Sequence, residues 1–339
     1  MQTLAASAAL APGGLRPEHL QGGEPRLWRG LVRDWPAVQA ALAAPARPEA
    51  ILDVLAPLDV GASVGAWRAP ASIGGRFGFS DDFTGFNFTR ELLPFAQVLQ
   101  RLRVLMAEPE PEALYVGSTT IDTTAPGFRA ANDLPVPLLQ ALQPLASLWL
   151  GNRGQVAIHH DLPDNLACVV AGRRRFVLFP PDAVGDLYIG PLEHTLAGQP
   201  TSLVDPRAPD FTRFPRYARA LKRGFEVELG PGDALFIPSL WWHGVASLEP
   251  VNLLVNYWWR SVPEHMDSPM GALLHTLLTV RDLPAHQRAA WQALFEHYVF
   301  EAGEHTAAHL PEPARQVLSP LTPATARGLR ARILRRLNR

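Results

Sequence analysis

The chain has one cysteine, Cys168, in 339 residues, so no intrachain disulfide framework can hold the fold together. That poverty fits a reducing compartment, and a cytoplasmic location is expected. Lysine is almost missing as well. Lys222 stands alone beside many arginines, and with Ala, Leu and Pro abundant we read this as codon bias. Neither sign of charge is in excess, the formal net charge being −1, so no global field argues for nucleic acid or an anionic membrane. No apolar run reaches the roughly 20 residues of a transmembrane helix. The opening MQTLAASAALAPGGL lacks Lys and Arg, and with them the positive n-region of a signal peptide. No internal repeat, phosphate-cradling glycine loop or serine-nucleophile elbow is present.

What is present is a change of texture along the chain. "PRLWRGLVRDWPAVQAAL" predicts a first strand near 26–30 and a helix near 35–43. "GGRFGFSDDFTGFNF" predicts strands joined by a turn at Ser80-Asp81-Asp82. From Leu92 to Met106, Phe95, Val98, Leu99, Leu102 and Leu105 follow helical spacing, which predicts a helix lying over a sheet. Residues 1–110 thus make an N-terminal α/β segment.

Between about 113 and 259 the chain turns to short apolar runs separated by Gly, Pro, Asp and Asn: "ALYVGS", "ASLWLGN", "NLACVVAG", "RFVLFPP", "FEVELGPGDALFIP" and "VNLLVNYWW". Many short strands with turn chemistry between them predict a β-sandwich or barrel rather than βαβ units. "GNRG" at 151–154 and "GPGD" at 230–233 are expected as hairpin turns. The polar stretch 188–224 reads as a long insertion between strands, the kind of loop that carries function. Residues 111–262 form the core. From 263 to 339 the pattern is helical again, ending in the basic amphipathic "ATARGLRARILRRLNR".

The chemistry concentrates in "QVAIHHDLPDN", residues 155–165. In a strand alternate residues share a face, so His159 and Asp161 point one way and His160 the other. Imidazole nitrogen beside carboxylate oxygen suits a divalent first-row metal. His243, in "GDALFIPSLWWHGVAS", is the candidate third ligand. Two His and one carboxylate make the facial triad of non-haem Fe(II) oxygenases, which leaves coordination positions open. Taken alone, H-x-D also fits a hydrogen-bonded structural pair, and His243 a core histidine. Trp241 and Trp242 are expected as core and pocket wall, and Cys168 as a buried hydrophobe. His305 and His309 in "EHTAAH" lack the Glu of a zinc-protease helix and fit a solvent face.

"IHHDLPDNLACVVAGRRRFVLFPP", "GPGDALFIPSLWWHGVAS" and "NLLVNYWW" together resemble the Jumonji-C and cupin-like 2-oxoglutarate oxygenases. Within that group the chain is similar to the asparaginyl hydroxylase branch that modifies hypoxia-inducible factor, and to its bacterial cupin-like relatives. The resemblance covers roughly 110–260, with "RGLVRDWPAV" and "DDFTGFNF" adding to it. It implies a double-stranded β-helix (jelly-roll) core, mainly β with helical additions. His159, Asp161 and His243 fall on the family's iron ligands. Tyr115, Asn165, Arg174 and Asn256 fall on positions around the cosubstrate. Arg174 stands where the hydroxylase has a lysine, and Val156 where it has a threonine.

The resemblance therefore implies Fe(II), 2-oxoglutarate and O2, and hydroxylation of a protein side chain. Small molecules and RNA bases remain alternative substrates, since fold does not fix function. A rival from another class is a cupin-like protein that binds metal without turnover, as a regulator or partner-binding module. A cupin isomerase is the second rival and would want more histidines. Helices after the barrel form a dimer interface in the resembled hydroxylase, so 265–339 is expected to mediate a homodimer.

Overall fold

The computed structural model describes residues 1–10, 14–134 and 136–338. Met1–Ser261 makes one compact unit and Val262–Arg339 another. In the first unit thirteen strands run in chain order: β1 (Gln2–Thr3), β2 (Arg26–Trp28), β3 (Ser63–Ala69), β4 (Thr89–Pro94), β5 (Ala113–Thr120), β6 (Leu145–Gly151), β7 (Gly154–His159), β8 (Asp164–Ala171), β9 (Arg174–Phe179), β10 (Phe225–Leu229), β11 (Ala234–Ile237), β12 (Trp242–Ser247) and β13 (Asn252–Trp259). They form a five-stranded sheet, β1-β10-β9-β12-β7, and an eight-stranded sheet, β2-β11-β8-β13-β6-β5-β3-β4. Apart from the parallel β1–β10 pair, neighbours are antiparallel.

The strand sequences explain the layering. β8 reads "DNLACVVA" with seven of its eight residues buried, because both of its faces are covered. Leu166, Cys168 and Val170 join a core shared with the N-terminal helices. Ala167 and Val169 face the other sheet and meet Phe176, Leu178, Val227 and Leu254. β9 alternates in the same way. Arg174, Phe176 and Leu178 look inward, while Arg175 points out to Glu226 and Glu228 of β10.

Several expectations need correction. "GNRG" and "GPGD" are turns but not hairpins: β6 and β7 lie in different sheets, as do β10 and β11, so each turn carries the chain across the sandwich. Turn composition reports the reversal, not which sheet receives the next strand. "GGRFGFSDDFTGFNF" does turn near Ser80, yet it supplies two isolated bridges, Arg76 with Gln155 and Phe79 with Phe86, and no full strand. Its aromatic side chains pack on one another instead of extending a ladder. The helix of 92–106 runs from Phe95 to Leu105, burying all five periodic positions, and β4 occupies the residues before it.

The second unit contains helices at Pro269–Thr279, Ala285–Phe295 and Pro323–Leu337, with shorter turns between them. The last begins with a Thr322 side chain capping the Thr325 amide at 3.2 Å.

Candidate functional site

β7 ends at His159, and β12 passes beside it with His243 directly opposite. Asp161 lies just past the strand end, so its approach to His159 follows from the chain's bend rather than from the strand alternation expected. The bend is pinned by Leu240, whose N–H donates to the Asp161 carbonyl at 2.9 Å, and by Asp164 and Leu162, which accept from Ser239. His159 Nε2 lies 3.9 Å from Asp161 Oδ1, and His243 Nε2 lies 3.6 Å from Oδ2. One donor atom from each of the three residues falls within 4.8 Å of the others.

The tautomers follow from the partners. His159 Nδ1 is 2.9 Å from the Ala157 carbonyl, and His243 Nδ1 is 3.0 Å from the Trp241 carbonyl. A carbonyl only accepts, so each Nδ1 carries the hydrogen and each Nε2 keeps its lone pair for the shared space. Burial, reinforced by the His159 ring, pushes His243 down to about 4, which makes it a neutral imidazole at pH 7. Neutral imidazole is the form that ligates metal. The Nε2 atoms of His159 and His243 and a carboxylate oxygen of Asp161 make a donor set that fits a divalent cation.

His160 turns to the opposite face and meets Trp242 edge-on at 4.7 Å. Trp242 packs with Phe179 and Tyr217, while Trp241 joins the inter-sheet core and donates to the Gly23 carbonyl at 2.6 Å. Both tryptophans are core residues. The pocket-wall role expected for one of them belongs to Trp149 and Trp258, which line the cavity beside the triad.

That cavity also receives Tyr115, Asn165, Arg174 and Asn256, so all seven sequence-selected residues border one space. Asn165 arrives from β8 and Asn256 from β13, joined by Asn256 Nδ2 donating to Asn165 Oδ1 at 3.2 Å. Trp149 Nε1 donates to Asn256 Oδ1 at 2.7 Å, which fixes that amide's orientation. Arg174 comes from the start of β9, next to a turn that requires Gly172 at φ +73, where a Cβ would meet Asn252 Oδ1 at 2.4 Å.

Arg174 is 2% exposed. Its Nη2 donates to the Trp149 carbonyl at 2.8 Å, and its buried Nε has no partner among the described residues. Burial lowers its pKa, with the nearby Tyr115 phenol acting in the other direction. The Tyr115 phenol is itself pushed up to about 12 by burial. No carboxylate pairs with Arg174 among the described residues, and an isolated buried charge costs several kcal/mol. The pocket is thus shaped for an anion. Val156 supplies only methyl groups to the same wall.

An aromatic cleft of about 210 Å3 opens onto His159 and Asp161, with Trp67, Phe77 and Trp258 among its walls. Leu196, Ala197 and Gln199 close one side of it. They belong to the long insertion, which is tied down by Arg90 donating to the Leu196 carbonyl and by His194 stacking on Phe86 at 4.7 Å. Sequence reading singled out the insertion but none of its residues, since a loop's contacts carry no periodic signal.

The cupin-like domain model matches residues 14–265. Over 144 residues the chain is 37% identical to the lysine-specific demethylase JMJ31 of Arabidopsis thaliana, covering 40% of this chain and 26% of that protein. It is 36% identical over 151 residues to HSPB1-associated protein 1 of Rattus norvegicus, covering 42% and 30%. It is 31% identical over 196 residues to tRNA wybutosine-synthesizing protein 5 of Danio rerio, covering 54% and 57%. The chain therefore spans between 26% and 57% of the length of these relatives, which come from a plant and from animals. Because the family match takes in both sheets, the His-Asp-His cluster and the arginine-lined pocket together, the chain belongs to the cupin-like family of Jumonji-C type.

Proposed function

We propose that this chain is an Fe(II)- and 2-oxoglutarate-dependent dioxygenase that hydroxylates a protein side chain. The observation that carries the reading is the buried Arg174, with no carboxylate partner among the described residues, at the far side of a cavity whose near side holds the Nε2 atoms of His159 and His243 and the Asp161 carboxylate. A protein that only bound metal would need no such grip.

His159, Asp161 and His243 would hold the iron, which supplies oxidative chemistry with O2 and the keto acid when bound. Arg174 binds the remote carboxylate of 2-oxoglutarate through its free Nε and a second N–H, and the Tyr115 hydroxyl donates a further hydrogen bond. Asn165 and Asn256, locked to each other and to Trp149, present amide groups to the cosubstrate without reorientation. Trp149, Trp258 and Phe77 exclude water and position the target C–H bond in the cleft.

The relatives' printed names include a lysine-specific demethylase and a tRNA wybutosine-synthesizing protein. Among the described residues the cleft's lining holds no carboxylate apart from Asp161 to receive an ammonium group, which weighs against a cationic side chain. The test is anaerobic titration of the purified chain with Fe(II) and 2-oxoglutarate, then succinate measurement under air. Absence of both 2-oxoglutarate binding and succinate would overturn the oxygenase reading and leave a metal-binding module.

A further inference from the structure

Beside the aromatic cleft lies a second cavity of about 160 Å3 with a different character. Arg76, Arg213, Asn87, Ser80 and Asp81 border it, and it shares Phe77, Ala157 and Thr201 with the cleft. Thr201 is bridged to His159, so the shared wall stands against the end of β7, where the first of the three metal-site residues lies. The Thr201 Oγ1 is buried there without a hydrogen-bond partner among the described residues.

The two arginines are held but not neutralised. Arg76 Nη2 donates to the Leu203 carbonyl at 2.8 Å, which orients the guanidinium and leaves its other N–H groups without a hydrogen-bond partner among the described residues. Arg213 lies over the Phe214 ring at 5.0 Å. Asp205 is the carboxylate whose charge reaches Arg76, yet it is already engaged by Arg207 at 3.5 Å and by Gln155 at 3.2 Å. Of the charged residues that line the chamber two are guanidiniums, Arg76 and Arg213, and one is a carboxylate, Asp81, while Arg207 and Asp205 pair with each other outside that lining, which leaves one positive charge for a monoanion.

We propose that this chamber binds a carboxylate carried by the substrate, an acidic residue close to the target residue of a protein, while the aromatic cleft takes the reacting side chain. The proposal rests on the hydroxylase reading of the triad and gives it a substrate class. A guanidinium with free N–H groups matches a carboxylate in shape as well as charge. The cleft itself offers mainly apolar walls, so it cannot choose between neutral and acidic sequences; the chamber can.

Calorimetric titration of the full chain, loaded with Mn(II) and saturating 2-oxoglutarate so that Arg174 is occupied, separates the possibilities. The probes are 3-phenylpropanoate, its neutral amide and phenyl phosphate. The acid is expected to bind about tenfold tighter than the amide, the scale of one or two charge-assisted hydrogen bonds. Arg76→Gln and Arg213→Gln each shrink that preference, and Arg76→Lys restores part of it. Arg213 is exposed, so its variant keeps the test valid should Arg76→Gln fail to fold. Equal affinities for acid and amide, no binding of either, or an unchanged preference in both variants would overturn the proposal. Tighter binding of phenyl phosphate than of the acid would overturn the carboxylate assignment in favour of a phosphate-bearing substrate. Failure of 2-oxoglutarate to bind the wild-type chain sinks the hydroxylase reading instead, and the acid-amide comparison on metal-free protein still decides the chamber.

Discussion

His159 and His243 are paired across β7 and β12, and their ring centroids stand 4.4 Å apart. Each ring is aimed by a carbonyl two residues earlier in its own chain, so sheet register and local backbone together set the Nε2 positions. Replacing either histidine, or Asp161, by Ala removes one of three donors. Calorimetry is expected to show Mn(II) affinity falling by at least about 100-fold, beyond what outer-shell changes cost. His160→Ala behaves differently because its ring touches Trp242 on the other face. It keeps metal affinity and loses about 1–2 kcal/mol of stability from lost ring packing. Interchanged phenotypes for His159→Ala and His160→Ala would place the site on the wrong face of β7.

Arg174 separates binding from folding. Removing a buried charge while keeping its volume is often neutral or stabilising for the fold, whereas a bound carboxylate loses its partner. Arg174→Met is therefore expected to hold or raise the melting temperature and to weaken 2-oxoglutarate binding by about 10- to 100-fold, the scale of a lost charged hydrogen bond. Arg174→Lys should fall between them, keeping charge without the fork. A 2-oxoglutarate Kd unmoved by Arg174→Met would show that the cosubstrate lies elsewhere.

Much of this site was legible because chemistry and strand periodicity coincide at it. Arg174 is reached through the family resemblance, and strand alternation in "GRRRFVLF" agrees with it, since Arg173 and Arg175 point the other way and pair with surface glutamates. Asp161 was found for a reason that does not hold, since the strand stops before it and a Leu240-pinned bend does the positioning. Trp149 and Trp258 were hidden among apolar neighbours. Nothing local tells an indole that walls a cavity from one that fills a core. Sheet membership was equally hidden, because "GNRG" and "GPGD" specify reversals while the destination of each strand is set by partners far along the chain.

Residues 262–339 present Leu273, Leu274, Leu278, Trp291, Leu294 and Phe300 exposed, and among the described residues of this unit the buried ones are Thr306, Ala307 and Ala326. We propose that a second copy of the chain covers that apolar surface, as the resemblance to dimeric hydroxylases implies. Light scattering is expected to give twice the 37.1 kDa chain mass. Leu278→Asp with Trp291→Asp should shift it to the monomer, because each charge would be buried unpaired on association. A monomeric wild-type chain at micromolar concentration would refute the proposal.

Val156 offers a gain-of-function test of cosubstrate placement. It pairs with Val245 in the β7–β12 ladder and borders the triad cavity, so Thr of nearly equal volume fits the position. Val156 is half-buried on the cavity wall, so a hydroxyl there that meets no polar ligand costs stability near the lower end of the penalty for a buried one, about 1 kcal/mol. With 2-oxoglutarate in the proposed place, Val156→Thr donates one new hydrogen bond, and affinity rises by about three- to tenfold, matching a net gain near 1 kcal/mol. The apo protein pays for the same hydroxyl in melting temperature, and 2-oxoglutarate should recover that loss. A destabilised variant with unchanged 2-oxoglutarate affinity would mean that the cosubstrate does not approach Val156, and that Arg174 holds some other anion.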